Sequence, residues 1–170
     1  MLDVKDKEEI IKFAKKLNST NLSPLRSGNI SIKIKSREKE GFLITPSGKK
    51  YNSLKIEDIV FVTFEGKYDI KGLKPSSEWR FHKDIYLKKT DAKAIVHAHS
   101  PHATAVSAHN KDIPAFHYMI ALAGGNNIKC AKYATFGTQE LSDSIIEALE
   151  NRKACLMSNH GQVAYGHDLN

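Results

Sequence analysis

Lys93-Ala94-Ile95-Val96-His97-Ala98-His99 joins a short, β-branched apolar run to two histidines one residue apart. Such a run reads as a buried strand. Side chains alternate faces along a strand, so His97 and His99 are predicted to project from one face, near the strand's end. Neutral imidazole is the commonest metal ligand near neutral pH, and two converging rings begin a zinc-type site. The same pair also fits two histidines on the wet face of a half-buried strand, so their neighbours must choose between the two.

A second buried strand is predicted at Ala154-Cys155-Leu156-Met157, and it ends in Ser158-Asn159-His160-Gly161. If the two strands are neighbours, His97, His99 and His160 converge. Three histidines with an open fourth position make a catalytic zinc arrangement. Glu78 is the candidate carboxylate for fourth ligand or base. It follows Pro75-Ser76-Ser77 at the predicted start of a helix running to Lys88. Serines cap helix N-termini, whose free N–H groups hold anions, although a plain cap with a dipole-favoured acid looks the same. Trp79, Phe81, Ile85 and Tyr86 read as packing residues, and His82 as a core or helix-surface histidine.

Two further turns carry anion-binding potential. Ser27-Gly28-Asn29 feeds the alternating Ile30, Ile32 and Ile34, and Gly41-Phe42-Leu43-Ile44 pairs with that strand as a hairpin ending in Thr45-Pro46-Ser47-Gly48. Turn N–H groups and hydroxyls can cradle an oxyanion, yet each turn alone is an ordinary turn. Ile56–Phe64 and Lys67–Ile70 suggest a second hairpin about Glu65-Gly66. Helices are predicted over Glu8–Leu17 with Asp3 or Asp6 as cap, from Ser100-Pro101, and from Thr138 with Leu141, Ile145, Ala148 and Leu149 inward. Tyr118 sits in an apolar stretch and reads as a half-buried core residue.

The chain has 170 residues, 41% of them hydrophobic, which suits one domain spanning 1–170 with a sizeable core. No apolar run approaches the ~20 residues of a membrane span. The charged start MLDVKDKEEIIKF lacks a signal-peptide core, so the expected location is the cytoplasm, with Cys130 and Cys155 reduced. A net charge of +7 permits an anionic partner. The tightest basic patch, Lys33 to Lys39, is broken by Ile34 and Ser36 and diluted by Glu38 and Glu40. It reads as a solvated strand end, not the basic, aromatic-interleaved stripe of a nucleic-acid binder. A small phosphorylated substrate is the simpler partner, with neither nucleic acid nor membrane.

Taken together, GNIS (28–31), TPSG (45–48), PSSEWRFH (75–82), HAHSPH (97–102), HYMIALAGG (117–125), YATFGTQELS (133–142) and NHG (159–161) resemble the class II aldolase/adducin family over nearly the whole chain. The resemblance implies an α/β, three-layer α/β/α fold whose central, mostly antiparallel sheet is flanked by helices. It implies Zn2+, or another divalent first-row metal, on His97, His99 and His160, with Glu78 as resting ligand and acid/base. Gly28, Asn29, Ser47, Gly48, Ser76 and Ser77 match phosphate-binding turns. Ser47 stands where relatives often have Thr, which keeps the hydroxyl. Tyr118 matches a catalytic tyrosine acting across a subunit boundary, and Phe136 an aromatic beside the aldehyde pocket. The implied assembly is a homotetramer with active sites between subunits.

The implied reaction is reversible cleavage of a phosphorylated ketose of the L-fuculose 1-phosphate type to dihydroxyacetone phosphate and an aldehyde such as L-lactaldehyde, through a zinc-stabilised enediolate. Relatives continue past the third histidine into a helix and tail that partly closes the site, whereas this sequence runs to Asn170. A pentulose-phosphate 4-epimerase would use the same zinc, but epimerases resemble one another in having Asp where Glu78 stands. A non-catalytic adducin-like domain would typically lack the histidines. A His-x-His barrel hydrolase needs roughly 200–250 residues or more.

Overall fold

The fold is described by a computed structural model covering residues 2–35 and 40–170. Seven strands form one sheet: β1 (Asn29–Lys35), β2 (Glu40–Ile44), β3 (Val60–Thr63), β4 (Ala94–Ala98), β5 (Cys130–Ala131), β6 (Ala154–Met157) and β7 (Gly161–Gly166). Their spatial order is β3-β2-β1-β4-β7-β6-β5. Every pairing is antiparallel except β5 with β6. The expected three-layer, mostly antiparallel α/β fold is therefore present.

Strand alternation separates two cores. On one face Phe42, Ile44, Val62, Ile95, Cys155 and Val163 meet α2 (Trp79–Lys88) and α4 (Gln139–Ala148) through Phe81, Ile85, Leu141 and Ile145. On the other, Ile30, Ile34, Leu43, Ala94 and Ala98 meet Ile10, Ala14 and Leu17 of α1 (Leu2–Ser19). Thr138 caps α4 as expected, its Oγ1 accepting from Leu141 N at 3.3 Å. Helix α3 (Pro101–Ser107) starts with the expected proline. Cys155 is buried and Cys130 half-buried, and both are free thiols.

Three sequence expectations shift. Helix α1 begins at Leu2 rather than Glu8, so Asp3 and Asp6 lie inside it instead of capping it. The apolar stripe marks where the helix packs, while residues 2–7 extend it N-terminally with the helix formers Lys5 and Lys7 among them. The second hairpin has its first strand and its turn, with Gly66 N on Thr63 O and Thr63 N on Lys67 O, both 2.9 Å. No strand returns, because Asp69 Oδ1 accepts from Lys71 N at 2.9 Å and turns the chain. The segment Pro75–Glu78 precedes α2 rather than beginning it, with Glu78 at the N-cap. Of the basic patch, Lys33 and Lys35 end β1, while Ser36, Arg37, Glu38 and Lys39 lie outside the described residues.

Candidate metal centre and its pocket

His97 lies on β4 opposite Asn29 of β1 and Val163 of β7, on the sheet face covered by α2. Its ring is fully buried, edge-on to Phe81 at 5.7 Å. Nδ1 donates to the Gln162 carbonyl at 2.8 Å, which leaves Nε2 as the free ligand atom. His99 follows on the same face, and His160 arrives from the turn joining β6 to β7. The three ring pairs lie 4.7, 4.9 and 4.9 Å apart between centroids. One ligand nitrogen from each ring lies within 4.8 Å of the others.

Glu78 closes the cluster from the start of α2. Its Oε2 is 3.2 Å from His97 Nε2, and its Oε1 is 3.4 Å from His160 Nε2. Oε1 is buried and lacks a partner in hydrogen-bond geometry, although buried carboxylate oxygens are almost always satisfied. Three imidazole nitrogens and an orphan carboxylate oxygen fit a first-row divalent cation. That donor set is the observation on which a metal is assigned here.

The same groups perturb one another's ionisation. Burial pushes the Glu78 carboxyl up, but the adjacent His97 outweighs it, with help from His160 and Asn29, and holds the group at about 2. Burial pushes His97 down, but the Glu78 carboxylate outweighs it and raises the ring above its ordinary value. His99 falls to about 4 through burial and the neighbouring His97 and His160. His160 is lowered by burial and by His97.

These directions define a pH profile for the metal-free protein. Ionised Glu78 contributes stability above its ordinary value, and this is lost as pH falls toward about 2. Protonated His97 contributes stability below its ordinary value, and this is lost as pH rises through its raised value. Urea unfolding of the metal-free protein should therefore show stability falling at both ends of the pH range. Both limbs should flatten in Glu78→Gln, and limbs unchanged in that variant would contradict the pairing.

A cavity of about 350 Å³ opens over the cluster. It joins Glu78, His99 and His160 to Gly28, Asn29, Ser47, Gly48, Ser76, Ser77 and Phe136, so the structure gathers most of the residues expected from the sequence. The three turns are tied together: Ser47 N donates to Lys74 O at 2.9 Å, Ser76 N to Thr45 O at 3.0 Å, and Ile30 N, just after the first turn, to Thr45 Oγ1 at 3.2 Å. The N–H groups of Gly28, Gly48 and Ser77 meet no acceptor among the described residues, which leaves them for an anion. Gly28 is required where it stands. Its φ is +78°, and a Cβ there would lie 2.6 Å from His97 O.

Three pocket residues escaped the sequence reading. Arg26 lines the cavity and donates from Nη1 to Gly48 O at 2.7 Å, while Tyr133 and Asn159 complete the wall. Arg26 was hidden in a polar loop, and only its two-residue distance from Gly28 signalled it. Asn29 lies deeper than a phosphate contact suggests, with Nδ2 donating to Glu78 Oε2 and Ser76 Oγ, both at 3.0 Å. Tyr118 does not reach this cavity. It lies on a 3-10 turn over Tyr118–Ala123 and is 82% exposed, not half-buried.

Comparison with known proteins gives a consistent picture. The family profile described as Class II Aldolase and Adducin N-terminal domain matches residues 8–170. The L-fuculose phosphate aldolase of Escherichia coli K12 is 49% identical over 156 residues, covering 92% of this chain and 70% of that protein. A 5-methylthioribulose-1-phosphate/5-deoxyribulose-1-phosphate aldolase of Rhodospirillum rubrum is 46% identical, covering 94% of this chain and 70% of its own. A solved L-fuculose 1-phosphate aldolase superposes with a TM-score of 0.89 at 41% identity, covering 96% of this chain and 76% of that one.

Proposed function

The chain belongs to the class II aldolase and adducin family as a carbon–carbon lyase, and from that membership we propose that it reversibly cleaves a ketose 1-phosphate into dihydroxyacetone phosphate and an aldehyde. One observation carries this reading. A single cavity has His99, His160 and an unpartnered Glu78 oxygen at one end, with His97 buried behind them, and unengaged turn N–H groups beside Arg26 at the other. Such a cavity suits a substrate with a carbonyl to polarise and a phosphate to anchor.

His97, His99 and His160 would hold a first-row divalent metal such as zinc, which would supply Lewis-acid stabilisation of negative charge on the three-carbon half. Cleavage breaks the bond between C3 and C4 of the ketose. Glu78 Oε1, an ionised carboxylate in this cluster, removes the C3 proton in the condensation direction, and in cleavage, after taking up a proton by exchange with solvent, gives it to C3. Gly28, Ser47, Gly48, Ser76 and Ser77 hold the phosphate, with Arg26 as the fixed positive charge. Anchoring the non-reacting end places the reacting carbons at the metal end. Phe136 lines the aldehyde side.

In the condensation direction Tyr118 of a neighbouring copy gives its phenol proton to the aldehyde oxygen, which becomes the C4 hydroxyl; cleavage returns that proton to the phenolate, and exchange with solvent resets the group between turnovers. The exposure of Tyr118, with Phe116 at 74% and Leu122 at 71%, supports a subunit contact there. The assembly is a homotetramer in this reading, with residues 1–170 of each subunit forming one domain, and its location is the cytoplasm. Among the described residues no helix is long and apolar enough to cross a membrane. Tyr118→Phe should retain metal and lower kcat by roughly 10²-fold, as loss of a proton-transfer group does. Normal turnover would remove the phenol from the reaction.

The Rhodospirillum rubrum relative supports a second substrate, a 5-methylthio or 5-deoxy ribulose 1-phosphate. Both readings share dihydroxyacetone phosphate and differ in the aldehyde. Side-by-side kcat/KM values for L-fuculose 1-phosphate and 5-methylthioribulose 1-phosphate, with the product identified, decide between them. A product that is an inverted sugar instead of a free aldehyde would overturn both in favour of epimerisation.

A further inference from the structure

Strand β1 and helix α2 meet along a buried polar seam of which the cleavage chemistry above uses only Glu78. Asn29 and Ser31 face α2 from alternate positions of β1, about 6.6 Å apart at the usual strand rise. Glu78, His82 and Tyr86 face back at four-residue intervals, about 6 Å apart along a helix. The matched spacings interleave the two sets into one chain of hydrogen bonds. Tyr86 Oη lies 2.7 Å from Ser31 Oγ, and Ser31 Oγ lies 2.7 Å from His82 Nδ1. His82 Nε2 bonds Asn29 Oδ1, and Asn29 Nδ2 bonds Glu78 Oε2 at 3.0 Å.

The donors in this chain run in one direction. An ionised carboxylate only accepts, so Asn29 must turn its NH2 toward Glu78 and its carbonyl toward His82. The carbonyl in turn needs a donor, so the His82 proton sits on Nε2. A neutral ring protonated there accepts at Nδ1, and Ser31 donates to it. Ser31 then accepts from the Tyr86 phenol, which burial keeps protonated. The His82 ring is fully buried, and burial, with His97 beside it, draws it down to about 3, so it is neutral.

We propose that His82 is a positioning residue of this site: its Nε2–H fixes the orientation of the Asn29 amide, so that an N–H rather than a carbonyl faces Glu78. This rests on Glu78 having the role given above. With the donor gone, the Asn29 carbonyl is buried without that partner, and the Glu78 carboxylate is left to hold the amide in this orientation against the flipped one. Flipping sets the Asn29 carbonyl against the Glu78 carboxylate and displaces the oxygen that faces the histidines. Groups that orient a ligand in this way typically change metal affinity or activity by roughly 10–100-fold.

The test compares His82→Leu, His82→Gln and His82→Asn in the full chain. A glutamine amide reaches the Nε2 position and can donate to Asn29, whereas an asparagine amide stops near Nδ1. Three readouts apply: nitrogen-15 NMR of the wild-type ring, titration with zinc alone, and solvent-deuterium exchange into dihydroxyacetone phosphate without aldehyde. The expected results are an Nε2–H tautomer, zinc affinity lowered by roughly 10–100-fold in His82→Leu and His82→Asn, and recovery of most of it in His82→Gln. Exchange should follow the same order, while thermal midpoints need not. An Nδ1–H tautomer, or a glutamine variant no better than the asparagine one, overturns the proposal. If the wild type exchanges no deuterium, the aldolase reading fails, and the tautomer and the zinc titration still decide the role of His82.

Discussion

Glu78→Gln is expected to keep its metal and lose its turnover. The carboxylate sits at the α2 N-cap, with one oxygen fixed by Asn29 and the other free toward His160. The amide has nearly the same shape and keeps an oxygen for the Asn29 donor. Its NH2 then points into the cluster, where it neither accepts a proton nor binds a cation. The three histidines remain in place, so about one metal ion per chain should stay bound at saturating metal, at an affinity lowered at least as far as in His82→Leu. Losing a positioned acid–base group typically costs about 10²–10⁴-fold in rate. The measurement is dihydroxyacetone phosphate release alongside metal content. Turnover within a few-fold of wild type would remove Glu78 from the proton transfer.

His97→Ala should have the larger effect, because it strikes the metal and the fold together. The ring is wholly buried, and it is the cluster histidine whose second nitrogen is fixed by a strand carbonyl. Its removal deletes one ligand, leaves the Gln162 carbonyl without that donor, and strips Glu78 of its nearest compensating ring. Removing one partner of a buried charged pair typically costs about 3–5 kcal/mol. Loss of a ligand should weaken metal binding by more than the roughly 10²-fold that an outer-shell partner can cost. Activity should vanish at ordinary metal concentrations, and the unfolding midpoint should fall even in metal-free protein. A variant that binds metal normally would mean that the cluster is not the metal site.

Much of this site was written in local patterns. The alternation that put His97 and His99 on one face followed from a strand period of two. The expectation that His160 converges if the two strands are neighbours holds in its result but not in its condition: β7 lies between β4 and β6, and the turn joining β6 to β7 brings His160 to the end of β4. The glycine turns were visible as turns, but their convergence depends on the contacts joining residues 45–48 to 74–76, which no local pattern encodes. His82 is the core histidine of the two alternatives, but weighed alone it does not disclose its hydrogen bonds. Its meaning lies in the four-residue spacing of Glu78, His82 and Tyr86 set against the two-residue spacing of Asn29 and Ser31. Arg26 was lost among loop residues, and Tyr118, read as half-buried, stands out in solvent because a single chain supplies nothing to cover it. The early start of α1 and the missing return strand after Lys67 show the limit of apolar stripes and turns. The first marks where a helix packs rather than where it begins, and the second guarantees a reversal rather than a partner strand.

The central claim is that one cavity uses a metal on His97, His99 and His160 to cleave a phosphorylated ketose. It is tested most directly by following dihydroxyacetone phosphate release from L-fuculose 1-phosphate and 5-methylthioribulose 1-phosphate, before and after chelation and again after zinc is restored. The expected result is release from at least one of the two substrates, its loss on chelation and its recovery with zinc. Release that persists in fully chelated protein, or no release from either substrate with metal bound at the cluster, would contradict it.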